Sequence, residues 1–109
     1  EADVRIVRVP GEFELPAAAR ALMGKGKRLP DAVIVLGAIV RGETRHHEVL
    51  GQAVASALAT LSADTGVPIG FGLLTCDTME QARARSGKGA EAAEAAVSMA
   101  NLRSRLRSR

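Results

Sequence analysis

A chain of 109 residues holds one domain, 1–109, with a modest core. Two Phe and no Trp or Tyr leave that interior to Ala, Val, Ile and Leu, and the single cysteine, Cys76, excludes an internal disulfide and fits a reducing compartment. The net charge is +3, and the longest apolar run, AVIVLGAIV, is nine residues, too short to span a bilayer; with charged first residues and no secretory pattern, a cytoplasmic protein without a membrane partner is expected.

VRIVRVP, Val4 to Pro10, alternates branched aliphatics with arginine in part and predicts a strand, ended by Pro10-Gly11. EFELPAAARALMGKG predicts a helix closed by Gly24 and Gly26, with Pro16 in its first turn, where a missing N–H costs nothing. DAVIVLGAIV is a wholly apolar strand, and apolarity without alternation implies burial on both faces, as in a parallel sheet. Val49, Leu50, Ala53, Val54, Ala57, Leu58 and Leu61 form a helical stripe that Gly66 and Pro68 stop. PIGFGLLT predicts a third strand, weakened by two glycines. DTMEQARARS predicts a short helix with Asp77 or Thr78 as N-cap, and GKGAEAAEAAVSMANLRSRLRS a final helix rich in Ala and Glu.

The order β-α-β-α-β-α-α calls for an α/β domain with a parallel sheet. Three strands leave two sheet edges and part of the apolar faces uncovered, so a partner subunit or a further segment is expected to cover them. NLRSRLRSR carries four arginines. A basic tail can bind nucleic acid, but without interleaved aromatics, helix-turn-helix or zinc spacing a helix end with solvated cations is the better reading. No nucleic-acid partner is expected.

Ligands of open parallel sheets bind beyond the carboxyl ends of the strands. Three loops leave such ends: PGEFELP, RGETRHHE and TCDTMEQ. In the second, Gly42 permits a sharp turn, and Glu43, Thr44 and Arg45 open a helix whose free N–H groups suit a phosphate. His46 follows within reach, and a histidine there can pass protons near neutral pH, so an anion cradle stands beside a proton carrier. The competing reading is that His46 and His47 merely cap a surface helix. A metal site fits less well, because adjacent helical side chains point about 100° apart. In the first loop Glu14 could accept from hydroxyls or amines, or serve only the helix dipole. Arg85 and Lys88 could neutralise a phosphate, or form a solvated basic loop.

Together VPGEFELP, DAVIVLGAIVRGETRHHEV, TGVPIGFGLLTCDTMEQA and GKGAEAA with MANL resemble the lumazine synthase family over nearly the whole chain. The resemblance implies a flavodoxin-like three-layer α/β/α fold with a parallel sheet. It implies homo-oligomers, pentamers or icosahedral shells, with active sites between neighbouring subunits, and it admits contact with riboflavin synthase. The implied reaction belongs to riboflavin biosynthesis. It condenses 5-amino-6-ribitylaminouracil with 3,4-dihydroxy-2-butanone 4-phosphate into 6,7-dimethyl-8-ribityllumazine, phosphate and water, with no metal or organic cofactor.

Carried over by position, His46 resembles the proton-transferring histidine, and Glu43 and Thr44 the phosphate cradle. Arg85 and Lys88 resemble the family's phosphate-binding arginine and nearby lysine. Glu12, Phe13 and Glu14 match the segment holding the ribityl chain and pyrimidine; Ala38, Ile39 and Val40 match the strand end at the pyrimidine. Phe71 resembles a phenylalanine given to the adjacent subunit's site. His47 stands where the family has Phe or Tyr and receives no catalytic role. The family also has a strand and helix ahead of VRIVRVP, which this sequence does not contain, and a longer loop before Lys88. A catalytically impaired shell-forming or scaffold protein of the same fold is the alternative reading.

Overall fold

Parallel pairing of the two most apolar runs sets the frame. In the computed structural model, which describes residues 3–24, 29–40, 46–85 and 87–108, β1 (Val33–Val40) and β2 (Ile69–Cys76) pair in parallel from Val33↔Ile69 to Val40↔Cys76. The Val33 N–H donates to the Pro68 carbonyl at 2.9 Å just ahead of the ladder.

A 3-10 turn, Glu12–Glu14, leads into α1 (Leu15–Met23), so the predicted helix begins with a tighter turn. Pro16 sits in the first turn of α1. Gly24 ends the helix at φ 65, a left-handed conformation in which a Cβ would be strained. Arg20 Nη1 donates to the Gly24 carbonyl at 3.0 Å, placing a cation at the negative helix end. Lys25 and Gly26, the end of the predicted helical segment, fall outside the described residues.

α2 (His46–Thr65) buries Val54 and Leu58, four residues apart on one face, as the stripe requires. Its end is tied to the next strand. Gly66, at φ 76, returns its N–H to the Ser62 carbonyl at 2.9 Å. Ser62 Oγ donates to the Val67 carbonyl at 2.7 Å, and Thr65 Oγ1 accepts from the Val67 N–H at 3.2 Å. Val67 itself is fully buried.

α3 (Met79–Ala84) is capped by Thr78, whose Oγ1 accepts from the Gln81 N–H at 3.1 Å. Gln81 Oε1 accepts from the Asp77 N–H at 2.8 Å, a near-reciprocal cap one residue earlier than the usual box. α4 (Lys88–Arg107) follows from Gly87 and buries Ala92 and Ala96.

The sheet is covered differently on its two sides. Val33, Val35 and Ile39 of β1 and Leu73 of β2 join Ala19, Met23, Val54, Leu58 and Val67 in one core under α1 and α2. On the other side α4 packs chiefly along β2. The parallel sheet between helical layers is the expected α/β arrangement. Burial of β1 on both faces is not realised within this chain: Ile34 is 45% and Leu36 56% exposed, because α4 lies over the neighbouring strand.

The sheet has two strands among the described residues, not three. Val4–Pro10 forms no strand, and Val4 and Ile6 are 72% and 79% exposed. A strand needs a neighbour to satisfy its N–H and C=O groups. Among the described residues β1 and β2 pair only with each other, so local alternation had no ladder to join.

Candidate functional site

Because β1 and β2 run in parallel and in register, Val40 and Cys76 end at the same rim. From that rim β1 leads through residues 41–45 into α2, and β2 leads into α3 and α4. After β1, residues 41–45 carry Glu43 and Thr44, which lie outside the described residues. His46 is the first residue of α2. The cradle reading has Glu43, Thr44 and Arg45 open this helix, and those three residues lie outside the described residues. The side chains of His46 and His47 lie outside what is described.

The Glu12–Glu14 turn packs against both β1 and α2. Its seat on β1 is Gly37: a Cβ built there would lie 4.0 Å from Glu12 Cγ. The turn closes with the Glu14 N–H donating to the Gly11 carbonyl at 3.2 Å. Phe13 is 71% exposed, so its ring is available to a ligand or neighbour.

Arg85 and Lys88, in the chain that follows β2, are brought together beside its Leu73 and Leu74. The Arg85 N–H donates to the Gln81 and Ala82 carbonyls, ending α3, and the Lys88 N–H donates to the Arg85 carbonyl at 3.1 Å, starting α4. This single turn replaces the longer loop that the family resemblance implies. Both residues line one open depression of about 580 Å³, with Leu73, Leu74, Ala84, Gly87 and Glu91. Two cations lining one open depression suit a phosphate, with the Glu91 carboxylate on the same lining working against it. Glu91, which spacing alone did not single out, lies three residues after Lys88 on the first turn of α4 and so faces the same hollow.

The remaining expected site residues are more dispersed. Ala38 and Val40 are half-buried at the rim end of β1. Ile39 is 5% exposed and belongs to the core, so only its main chain can meet a ligand. Phe71 pairs with Val35 and is 37% exposed. Five residues short of Cys76, it stands about 17 Å from the rim by strand rise, and it is not among the residues lining the depression. No group of three metal-binding side chains occurs among the described residues, and no helix there is long and apolar enough to cross a membrane.

Comparison with known proteins gives this arrangement a context. A family model described as 6,7-dimethyl-8-ribityllumazine synthase matches residues 1–104. Proteins of that description from Streptomyces avermitilis and Streptomyces coelicolor are 50% and 49% identical over 102 residues, covering 87% of this chain. One from Thermococcus kodakarensis is 45% identical over 109 residues, covering 96% of this chain and 69% of its own length. The chain spans 62% of the length of the two Streptomyces relatives.

Proposed function

We propose that this chain, which belongs to the 6,7-dimethyl-8-ribityllumazine synthase family, supplies the working site of a lumazine synthase. It joins a ribitylaminouracil to a phosphorylated butanone, releasing phosphate and water, in riboflavin biosynthesis in the cytoplasm. The observation that supports the reading is that Arg85 and Lys88 line one depression beside Leu73 and Leu74 of β2, the strand paired with the one that leads into α2.

The chemistry asks for three things. The departing phosphate needs its charge held; Arg85, Lys88 and the segment with Glu43 and Thr44 that precedes α2 take that role. The amine must attack the ketone and a Schiff base must form, which needs one group passing protons near neutrality; His46 takes that role. The ribityl chain and pyrimidine need hydroxyl and amide partners, a role that Glu12, Glu14 and the main chain of Ala38, Ile39 and Val40 take, with Phe13 as the ring contact. Much of the rate then comes from holding two small molecules in one orientation.

The protein acts as a homo-oligomer, a pentamer or a larger assembly. Ile34, Leu36, Phe71, Val97 and Met99 are exposed apolar side chains that a neighbouring subunit would cover, with Phe71 offered to that subunit's site. The test is turnover with both substrates, followed by phosphate release. We expect His46→Ala to lower kcat by roughly 10²-fold or more without changing assembly. Turnover unaffected by that substitution removes His46 from the mechanism. Assembly with no turnover at all points instead to the scaffold reading.

A further inference from the structure

We infer that Gly70 and Gly72, on the exposed-edge strand β2, are positioning residues that set where α4 lays its amino end, and with it Lys88 and the Arg85 turn. The inference rests on the phosphate-site reading above and extends it to residues that touch no ligand. In sequence these glycines only weaken a strand. In the structure they form the floor on which α4 rests.

The contacts are close and of two kinds. A Cβ built on Gly70 would lie 2.2 Å from the Ala92 carbonyl oxygen and 3.1 Å from Ala96 Cβ. The first obstacle is main chain, which no rotamer change moves, so any side chain there drives α4 back by about 1 Å to reach ordinary contact. A Cβ on Gly72 would lie 2.8 Å from Leu36 Cδ2, 3.2 Å from Ala92 Cβ and 3.4 Å from the Lys88 carbonyl oxygen. Those obstacles are softer, because Leu36 can swing aside. The third, an ordinary van der Waals contact, is with Lys88, a residue that lines the depression. α4 is a continuous helix from Lys88 to Arg107, so a retreat at Ala92 is transmitted to Lys88 one turn away. The Lys88 N–H is bonded to the Arg85 carbonyl, so the turn holding the second cation follows. An anion held by two cations tolerates little displacement of one wall.

The test uses isotope-labelled full-length chain titrated with inorganic phosphate, read from the amide shifts of Gly87 to Glu91, alongside turnover. Gly70→Ala is expected to weaken phosphate binding about tenfold and to raise the KM for the phosphorylated butanone while leaving that for the uracil unchanged. Gly72→Ala is expected to do the same more weakly, with recovery in Gly72→Ala/Ala92→Gly. Val54→Ala, in the core on the opposite face, is expected to lower Tm with no change in phosphate affinity or in the ratio of the two KM values. A folded Gly70→Ala that binds phosphate and turns over like the parent overturns the inference and leaves the proposed function standing. Should Gly70→Ala fail to fold, Gly72→Ala and its rescue decide: parental affinity in the single variant, or no recovery in the double, overturns it. A parent chain that neither binds phosphate nor turns over overturns both.

Discussion

The two faces of the sheet are built on opposite plans. Under α1 and α2 the side chains are bulky aliphatics and one thioether: Val33, Val35, Ile39, Leu73, Met23, Val54, Leu58 and Val67 pack in one cluster. Under α4 the strand offers Gly70 and Gly72 and the helix offers Ala92 and Ala96, so backbones approach almost directly. The first plan buries apolar area and tolerates small shifts through rotamers. The second buries less area per residue and fixes a distance. Stability is concentrated on one face, and the geometry of the basic pair on the other.

That division can be broken or sharpened by substitution. The largest expected loss is Leu58→Ala, which should cost about 2–5 kcal/mol of stability in denaturant unfolding, with the depression otherwise intact. If Leu58→Ala instead abolishes phosphate binding in the folded protein, the two faces are not independent. Arg85→Ala should reverse the pattern, with a Tm close to the parent's and turnover reduced on the order of 10²- to 10³-fold. A large fall in Tm would show that the arginine holds structure as well as charge. Leu36→Ser is the mildest: at 56% exposure it should change the stability of the single chain by less than about 0.5 kcal/mol. It should still shift sedimentation or light scattering toward smaller species if this uncovered face meets a neighbour.

Much of the fold could be read from local pattern. The stripe through Leu50, Val54, Leu58 and Leu61, stopped at Gly66, became α2, and the two apolar runs became β1 and β2. Val4–Pro10 failed because its alternation is a local signal and strand formation is a non-local event. The double burial expected of β1 failed for a related reason: what covers Ile34 and Leu36 is not set by β1. At the site, residue types were legible but their meeting was not. Only the short turn from Arg85 to Lys88 and the close seat of α4 reveal that the two cations share a wall. Gly70 and Gly72 looked like defects because sequence shows the missing side chain and hides the helix that takes its place.

The junction between α2 and β2 has a consequence for motion. Both polar groups of Val67 are held by hydroxyls of the preceding helix, one from Ser62 and one from Thr65. The helix terminus and the strand entrance therefore cannot fray one without the other. Amide hydrogen exchange at Val67 should keep pace with the last turn of α2, making this corner one opening unit of the protein.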